Sequence, residues 1–402
     1  MTNDVLSGAL SGLRVLDLTR LLPGAFCTQL LADMGADVVK IEEPGRGDYN
    51  RDFPPINVKE SGSFLLLNRN KKSVVLNLKS DEGKEALRDL VKTADILVEG
   101  FRPGVMDRLD LGYDALKEIN PRLIYCAISG FGQDGPYRLM PGHDLNYLAI
   151  AGAGRLFADR DGNPVVPGLS IADVGGGSQM AATGILAAVI ARSASGLGQF
   201  IDISMTDGAF AWLAYHGADW LFGGTNPRGG RGPLIGQAPC YNTYECSDGG
   251  WVALGIIEEH FWQRFCAAVG LDQLVDQQWP EGPDAEAQFS ELRALFKTDT
   301  RDNWVARLTP ADIPFTAIYD VSEAIEDPQI KHREMLLSVD HPVEGTIPQL
   351  GFPIKMSGTP CTIRSAAPLL GEHTQSELRA IGYSEDQIEK LIGNKDGQEP
   401  QR

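Results

Sequence analysis

Histidine and cysteine are scarce in this chain, six of each among 402 residues. The cysteines stand singly at 27, 126, 240, 246, 266 and 361. No C-x-x-C pair occurs, which argues against a zinc site or a disulfide framework and points to reduced thiols in a cytoplasm. No run of about 18 apolar residues is present, so no membrane span is expected. The opening MTNDVLSGALSG has no basic segment followed by an apolar stretch, so no secretory signal is expected either. Positive charge is also in short supply. Thirty-six Lys and Arg stand against 54 Asp and Glu, a net charge of −18, which excludes general binding to nucleic acid or to an anionic membrane.

Familiar catalytic signatures are missing too. The first strand–helix turn reads TRLLPGAFC, without the G-x-G-x-x-G that cradles a dinucleotide pyrophosphate. There is no G-x-x-x-x-G-K-[ST] phosphate loop and no H-E-x-x-H metal helix, and no G-x-S-x-G nucleophile elbow. Chemistry must come directly from acid, base or nucleophilic side chains, with no metal implied.

What is present is ordinary globular composition, 43% hydrophobic and 22% charged, in a chain long enough for two domains. The first third alternates strand and helix patterns. RVLDL (Arg14–Leu18), DVVKI (Asp37–Ile41), SVVLNL (Ser73–Leu78), DILVE (Asp95–Glu99) and LIYCAIS (Leu123–Ser129) read as buried strands, separated by helices such as one near Ala25–Met34. Ser80 reads as the N-cap of another, with Asp81 and Glu82 in its first turn. Such alternation predicts an α/β fold with a mainly parallel sheet, whose ligands sit beyond the carboxyl ends of the strands.

A long apolar helix is predicted over Gly175–Arg192, then a strand at Phe200–Ser204 and an Asp-led helix. Residues 222–240, rich in Gly and Pro, mark a boundary. Tyr241–Glu245 and Trp251–Leu254 read as a hairpin around Ser-Asp-Gly-Gly, followed by polar helical sequence to about 308. Apolar segments near 313–319 and 350–356 suggest a return to a sheet. Ser384-x-x-Gln387 starts a last helix, and the tail GNKDGQEPQR is expected to be disordered. The divisions are therefore 1–221, 222–330 and 331–402, the last returning to the first domain.

Three polar spots stand in apolar or Gly-rich context: Gly142-His143-Asp144, Asp173 and Glu258. Asp173 lies at the expected N-cap of the helix opening in Gly175–Gly177. The glycines would let a ligand approach free N–H groups at the helix start, able to hold an oxyanion beside a carboxylate that acts as base or nucleophile. Each spot also has a plain structural reading: Asp173 as a cap, His143 as a packing residue, Glu258 as a surface-turn acid. A separate feature is the stretch Arg69–Arg108, with nine basic and seven acidic residues, a net of +2 in an acidic chain; solvated helix faces would produce the same pattern.

Taken in order, LSGLRVLDL, LLADMGADVVKIE, LVEGFRPGVMDRLDLG, NPRLIYCAISGFGQDGP, GHDLNYLAIAG, IADVGGGSQMAATGIL, IDISMTDGA and ALGIIEEHF resemble the family III CoA-transferase superfamily, and within it the α-methylacyl-CoA racemases. LTRLLPG and PLLGEHTQSEL lean instead toward the transferases. The resemblance implies a Rossmann-like large domain, a smaller α+β domain and an interlocked homodimer. It implies an acyl-CoA substrate, with coenzyme A part of the substrate and no separate cofactor. It places catalysis on His143, Asp173 and Glu258, with enolate charge carried at the helix start around Gly175 and Gly176. Arg102, Arg108, Lys72, Lys71 and Asn70 become coenzyme A contacts, the two arginines foremost. Two activities follow as expectations: inversion of a 2-methylacyl-CoA by two-base proton transfer, or CoA transfer through a covalent Asp173 intermediate. A third, acyl-CoA binding without catalysis, fits less well with all three polar spots intact.

Overall fold

The computed structural model describes residues 8–159 and 162–393; most of the tail read as disordered lies outside them. The chain forms two compact units. The first runs to Ala151, resumes over Gly168–Trp212 and again from His332; the second comprises Gly152–Pro167 and Leu213–Lys331. The boundary therefore falls at 213 rather than 222, and an excursion at 152–167 belongs with the second unit.

The first unit is built on β1 (Arg14–Leu18), β2 (Asp37–Glu42), β3 (Lys71–Val75), β4 (Ile96–Glu99), β5 (Ile124–Ser129) and β6 (Phe200–Ser204). All pair in parallel, in the spatial order β3-β2-β1-β4-β5-β6. That order reverses between β1 and β4, and such a reversal opens a crevice at the strands' carboxyl ends. β1, β2, β4 and β5 are buried on both faces, as a sheet covered by helices requires, while the edge strand β6 is partly exposed. One face packs Leu16, Val39, Leu97 and Tyr125 against α2 (Asp81–Val91), whose Ala86, Leu87, Leu90 and Val91 form the inward stripe. Each large aliphatic side chain buried there contributes roughly 1.5–3 kcal/mol. Ser80 caps this helix as predicted, its hydroxyl accepting from the Gly83 N–H at 3.1 Å.

The opposite face lies under α1 (Leu21–Asp33) and carries a set of buried charges. Asp17 and Lys40 are register partners, so their side chains project to the same side. Lys40 Nζ reaches Asp48 at 2.8 Å and the Thr19 carbonyl at 2.8 Å. Lys71 Nζ donates to Thr28 at 2.8 Å, Asn68 at 2.9 Å, the Ala25 carbonyl at 2.9 Å and Asp17 at 3.2 Å. Burial works against the Asp17 anion, but Lys40, Lys71, Thr19 and Thr28 outweigh it and hold its pKa down at about 2. Burial wins at Lys71, whose pKa falls to about 8.

Within this unit α3 (Asp144–Ile150) precedes a π-helical segment, Ala172–Gln179, that runs directly into α4 (Met180–Ser195); β6 then leads to α5 (Met205–Ala211). Ala172–Ser195 reaches the length of a membrane span with a mean hydropathy of 1.4, a reach that the sequence reading did not assign it. Here it packs on α1, β5 and β6, and the buried Arg192 holds the Asp95 and Arg122 carbonyls.

The second unit carries an antiparallel sheet of β7 (Tyr241–Glu245), β8 (Trp251–Gly255) and β9 (Phe315–Ile318). Over it lie α6 (Glu259–Val269), α7 (Gly282–Phe296) and α8 (Arg301–Leu308), around a core of Trp262, Phe265, Phe296 and Trp304. Both buried indoles donate to carbonyls, Trp262 to Leu274 at 2.8 Å and Trp304 to Phe296 at 2.9 Å, which offsets the cost of burying their N–H groups. Residues 350–356 do not form the expected strand. Instead β10 (Leu336–His341) and β11 (Gly345–Leu350) make a separate antiparallel pair in the first unit. The alternation that creates them sits just upstream of the apolar run that suggested a strand. Two final helices close the first unit, α9 (Thr374–Ala380) and α10 (Glu385–Gly393). Ser384 and Gln387 cap the last reciprocally, at 2.8 and 3.4 Å. All six cysteines are free.

Candidate active site

The carboxyl edge of the large sheet gathers several of the expected residues. His143 is the residue before α3, with extended backbone (φ −130°, ψ 175°), and its N–H donates to Asn146 Oδ1 at 3.1 Å. The side chain is exposed. One turn on, the Tyr147 ring packs edge-on to Phe131 at 5.2 Å, and its hydroxyl donates to the Gly142 carbonyl. A Cβ on Gly142 would meet that ring at 2.8 Å, and one on Gly130 at 2.4 Å. Those two glycines exist to admit the tyrosine, which fixes the Gly142-His143-Asp144 turn.

Asp173 does not cap its helix. The residue before the π-helical segment is Ile171, and Asp173 sits in the first turn. The cap comes from elsewhere in the chain: Asp144 Oδ1 accepts the Asp173 N–H at 3.0 Å. Two of the three polar spots read from sequence thus meet at one contact, with His143 one residue away. Behind it, Ser178 Oγ donates to the Pro23 carbonyl at 2.6 Å and the Asp173 carbonyl at 3.1 Å, tying the segment to α1. The wide π turn itself is a feature often found at functional sites.

The triple glycine serves a different purpose from the one expected. Gly175, Gly176 and Gly177 are all buried. A Cβ on Gly175 would lie 2.4 Å from the Trp212 ring, and one on Gly176 would lie 2.6 Å from the Met205 carbonyl and 3.0 Å from the Ala209 nitrogen. Gly208 answers Gly176 from α5, its own Cβ position 2.4 Å from the Gly176 Cα. The glycines let two backbones touch; they do not leave an opening for a ligand. Gly176→Ala is expected to lower stability by about 1–3 kcal/mol, because the obstructing atoms are backbone and cannot turn aside. A chemical denaturation series would show it as a lower midpoint at unchanged slope.

Electrostatics single out Asp173. Burial, reinforced by the Asp144 charge, pushes its pKa up to about 7. The Tyr147 phenol is raised to about 12, by burial first and then by Asp173, while the Arg102 charge pulls the other way. Arg102 thus bears on the same pocket. It follows β4, at the point where the strand order reverses. Glu99, the last residue of β4, is buried and raised to about 8, chiefly by burial. It accepts the Phe101 N–H at 2.7 Å and, held neutral, leaves the Arg102 charge uncancelled.

The five expected coenzyme A contacts divide. Arg102 and Arg108 are exposed, and among the described residues neither guanidinium enters an ion pair. Lys71 is withdrawn: it is fully buried and bonded to four partners. Asn70 is withdrawn as well, its amide held at 2.8 Å by both Asp33 and the Thr362 carbonyl. Lys72 projects from the other face of β3, where Asp37 and Glu377 hold it at 2.8 and 2.9 Å. Asp37 opens β2, so that pairing sits at the amino edge of the sheet. Adjacent residues on a strand point to opposite faces, so the two lysines could not serve one ligand from this position.

One residue that the sequence reading left aside stands at the same sheet edge. Arg20, after β1, donates to the Tyr49 hydroxyl at 2.6 Å, pairs with Glu43 at 3.1 Å and lies 5.5 Å from the Phe101 ring. Asp144 is named in the sequence beside His143, and its tie to Asp173 comes from the fold. Glu258 lies in the second unit, exposed, at the N-cap of α6, its carbonyl accepting from Phe261 and Trp262 at 3.1 and 3.2 Å. Among the described residues, no three His, Cys, Asp or Glu side chains converge to hold a metal ion.

Comparisons with known proteins agree over nearly the whole chain. The sequence profile described as CoA-transferase family III matches residues 10–374. An acyl-CoA transferase of Fusarium pseudograminearum is 36% identical, over 95% of this chain and 87% of its own. The human α-methylacyl-CoA racemase is 34% identical, over 96% of this chain and 97% of its own. The crystal structure of a CAIB/BAIF family protein from Brucella suis superposes with a TM-score of 0.81 at 32% identity, over 93% of this chain and 99% of that one.

Proposed function

Because the chain belongs to CoA-transferase family III, we propose that it inverts the 2-methyl centre of 2-methylacyl-CoA thioesters by two-base proton transfer. The thioester carbonyl acidifies the α-carbon. One of His143 and Asp173 removes that proton to give an enolate, and the other returns a proton to the opposite face. The contact between Asp144 and the Asp173 backbone carries this reading. It draws the histidine turn and the carboxylate together, and an Asp173 acid near neutrality is suited to giving and taking a proton at physiological pH. Glu258 is the acid that this reading assigns to orienting the imidazole.

Arg102 and Arg108 bind the coenzyme A phosphates, as planar guanidinium groups do well. Losing one such charge-assisted contact costs about 1.5–3 kcal/mol, so Arg102→Ala is expected to raise KM for acyl-CoA roughly 10- to 100-fold with kcat little changed. Lys72→Ala, which removes an ion pair remote from the edge, is expected to leave KM within about twofold. Steady-state kinetics on the two variants separates these outcomes.

The similarity to an acyl-CoA transferase favours a second reading, in which Asp173 attacks the thioester, expels CoA thiolate as a mixed anhydride forms, and later carries CoA as an aspartyl thioester. One assay distinguishes the two. Incubation of a 2-methylacyl-CoA in D₂O without any free acid gives α-deuterium incorporation and inversion if the racemase reading holds. Exchange of CoA only when a carboxylic acid is added, with no α-deuterium, would replace it with the transferase reading.

A further inference from the structure

We infer that Asp144 is a positioning residue for Asp173: it caps the helix start that carries Asp173, and the negative charge it sets beside that carboxyl lets Asp173 serve as acid as well as base. The argument begins with geometry. The Asp144 carboxylate is the acceptor for the Asp173 N–H at 3.0 Å, across 29 residues of sequence, although a side chain within the segment could have done the same. The cap fixes where Asp173 stands. It also places a second carboxylate beside the first, and two carboxylates sharing one site do not both ionise readily.

The other groups around Asp173 do not relieve that repulsion. Tyr147, from the next turn of α3, is a neutral phenol, raised further by burial first and then by Asp173. Arg102 bears on the tyrosine but does not figure among the causes acting on Asp173, which are burial and Asp144. Among the described residues His143 is the base next to Asp144 in the chain, and it is the residue with which Asp173 would exchange protons.

This assignment rests on the two-base reading, and it supplies what that reading needs. An ordinary aspartate, with a pKa near 3.9, is ionised in almost every resting molecule at neutral pH. Only one enantiomer would then meet a correctly protonated enzyme. With the aspartyl acid at about 7, its protonated and ionised forms are both well populated near neutral pH, and either enantiomer can be processed.

The test is a ¹³C NMR titration of the full-length enzyme labelled at aspartate carboxyls, with the Asp173 resonance identified by its loss in Asp173→Asn. In the wild type that resonance is expected to titrate at about 7. In Asp144→Asn, which keeps an amide oxygen to cap the Asp173 N–H but removes the charge, the midpoint is expected to fall by about one unit or more, a tenfold stronger acid. Asp144→Ser, a shorter cap without charge, is expected to shift it the same way. An unchanged midpoint in both folded variants overturns the role of Asp144, even if α-proton exchange persists. A lowered midpoint with no exchange in the wild type keeps that role and removes the racemase reading instead.

Discussion

Asp173→Asn is expected to slow α-proton exchange by roughly 10²- to 10⁴-fold, the span usual for losing a positioned acid or base. The change preserves the shape of the side chain, and the cap from Asp144 is made to the backbone N–H, so the helix start stays in place. The same substitution is expected to stabilise the fold above neutrality. Asp173 has a raised pKa, about 7 against 3.8 for the ordinary group, so the folded protein binds a proton that the unfolded chain releases. Stability is therefore fully present below about 3.8 and is lost as the pH rises through about 7. An amide has no proton to lose. At about pH 8 the variant should be more stable by an amount on the order of 2 kcal/mol, after discounting for partial exposure, and its stability should vary less between about pH 4 and 8. Thermal melts across that range, set beside D₂O exchange rates, check both halves. A slower variant that is not also more stable at high pH would mean that Asp173 is an ordinary ionised carboxylate. His143→Ala adds a complementary result: it should stop exchange while sparing acid-dependent CoA transfer, since only the two-base route uses the imidazole.

The strands at Arg14–Leu18 and Phe200–Ser204 fall where the sequence put them. Their apolar runs are short, bounded and free of helical periodicity, and local patterns of that kind are legible. Ser80 and the pair Ser384 and Gln387 cap helices as read, because those caps are local. Asp173 was misread for the same reason in reverse. A cap inferred from sequence is sought just before the helix, whereas the acceptor here is Asp144 from another helix. The triple glycine was ambiguous in principle, since ligand access and close helix packing ask for the same residue. Only its partner Gly208, in MTDGA, distinguishes the two, and sequence does not reveal that pairing. The lysines of β3 show a partial case. Period-two alternation already separates Lys71 from Lys72, but the counter-ion Asp17, 54 residues away, becomes visible only once β1, β2 and β3 are laid side by side.

Lys40→Met is expected to lower stability by roughly 3–5 kcal/mol, the cost of leaving a buried charge without its partner. A domain is stable by only about 5–15 kcal/mol in total, so this would be among the most damaging single changes in the molecule. Lys40 is fully buried and neutralises two carboxylates, at 2.8 Å from Asp48 and 3.9 Å from Asp17. Methionine fills much of the same space but leaves Lys71 as the remaining cation for Asp17. The pH dependence should change as well. In the native protein the Asp17 pKa is held down at about 2; the stability this contributes is present above about 3.8 and is lost as the pH falls through about 2. Without Lys40 the Asp17 carboxyl is raised, and the acid-unfolding midpoint should move upward. Urea titrations give the loss, and the double variant Lys40→Met with Asp48→Asn should recover part of it, because it removes one stranded charge. Recovery of nothing would mean that Asp48 is not coupled to Lys40. The consequence reaches the site, because the other Asp48 oxygen accepts the Leu21 N–H at 3.1 Å. Leu21 holds a left-handed backbone (φ 62°), a conformation that costs a non-glycine residue on the order of 1 kcal/mol and persists only where its surroundings impose it. It follows Arg20 and is the first residue of α1, at the carboxyl edge where β1 hands over to β4. Releasing Asp48 should let that turn relax, so the surviving folded fraction of Lys40→Met is expected to show a raised KM for acyl-CoA as well as a lower melting temperature.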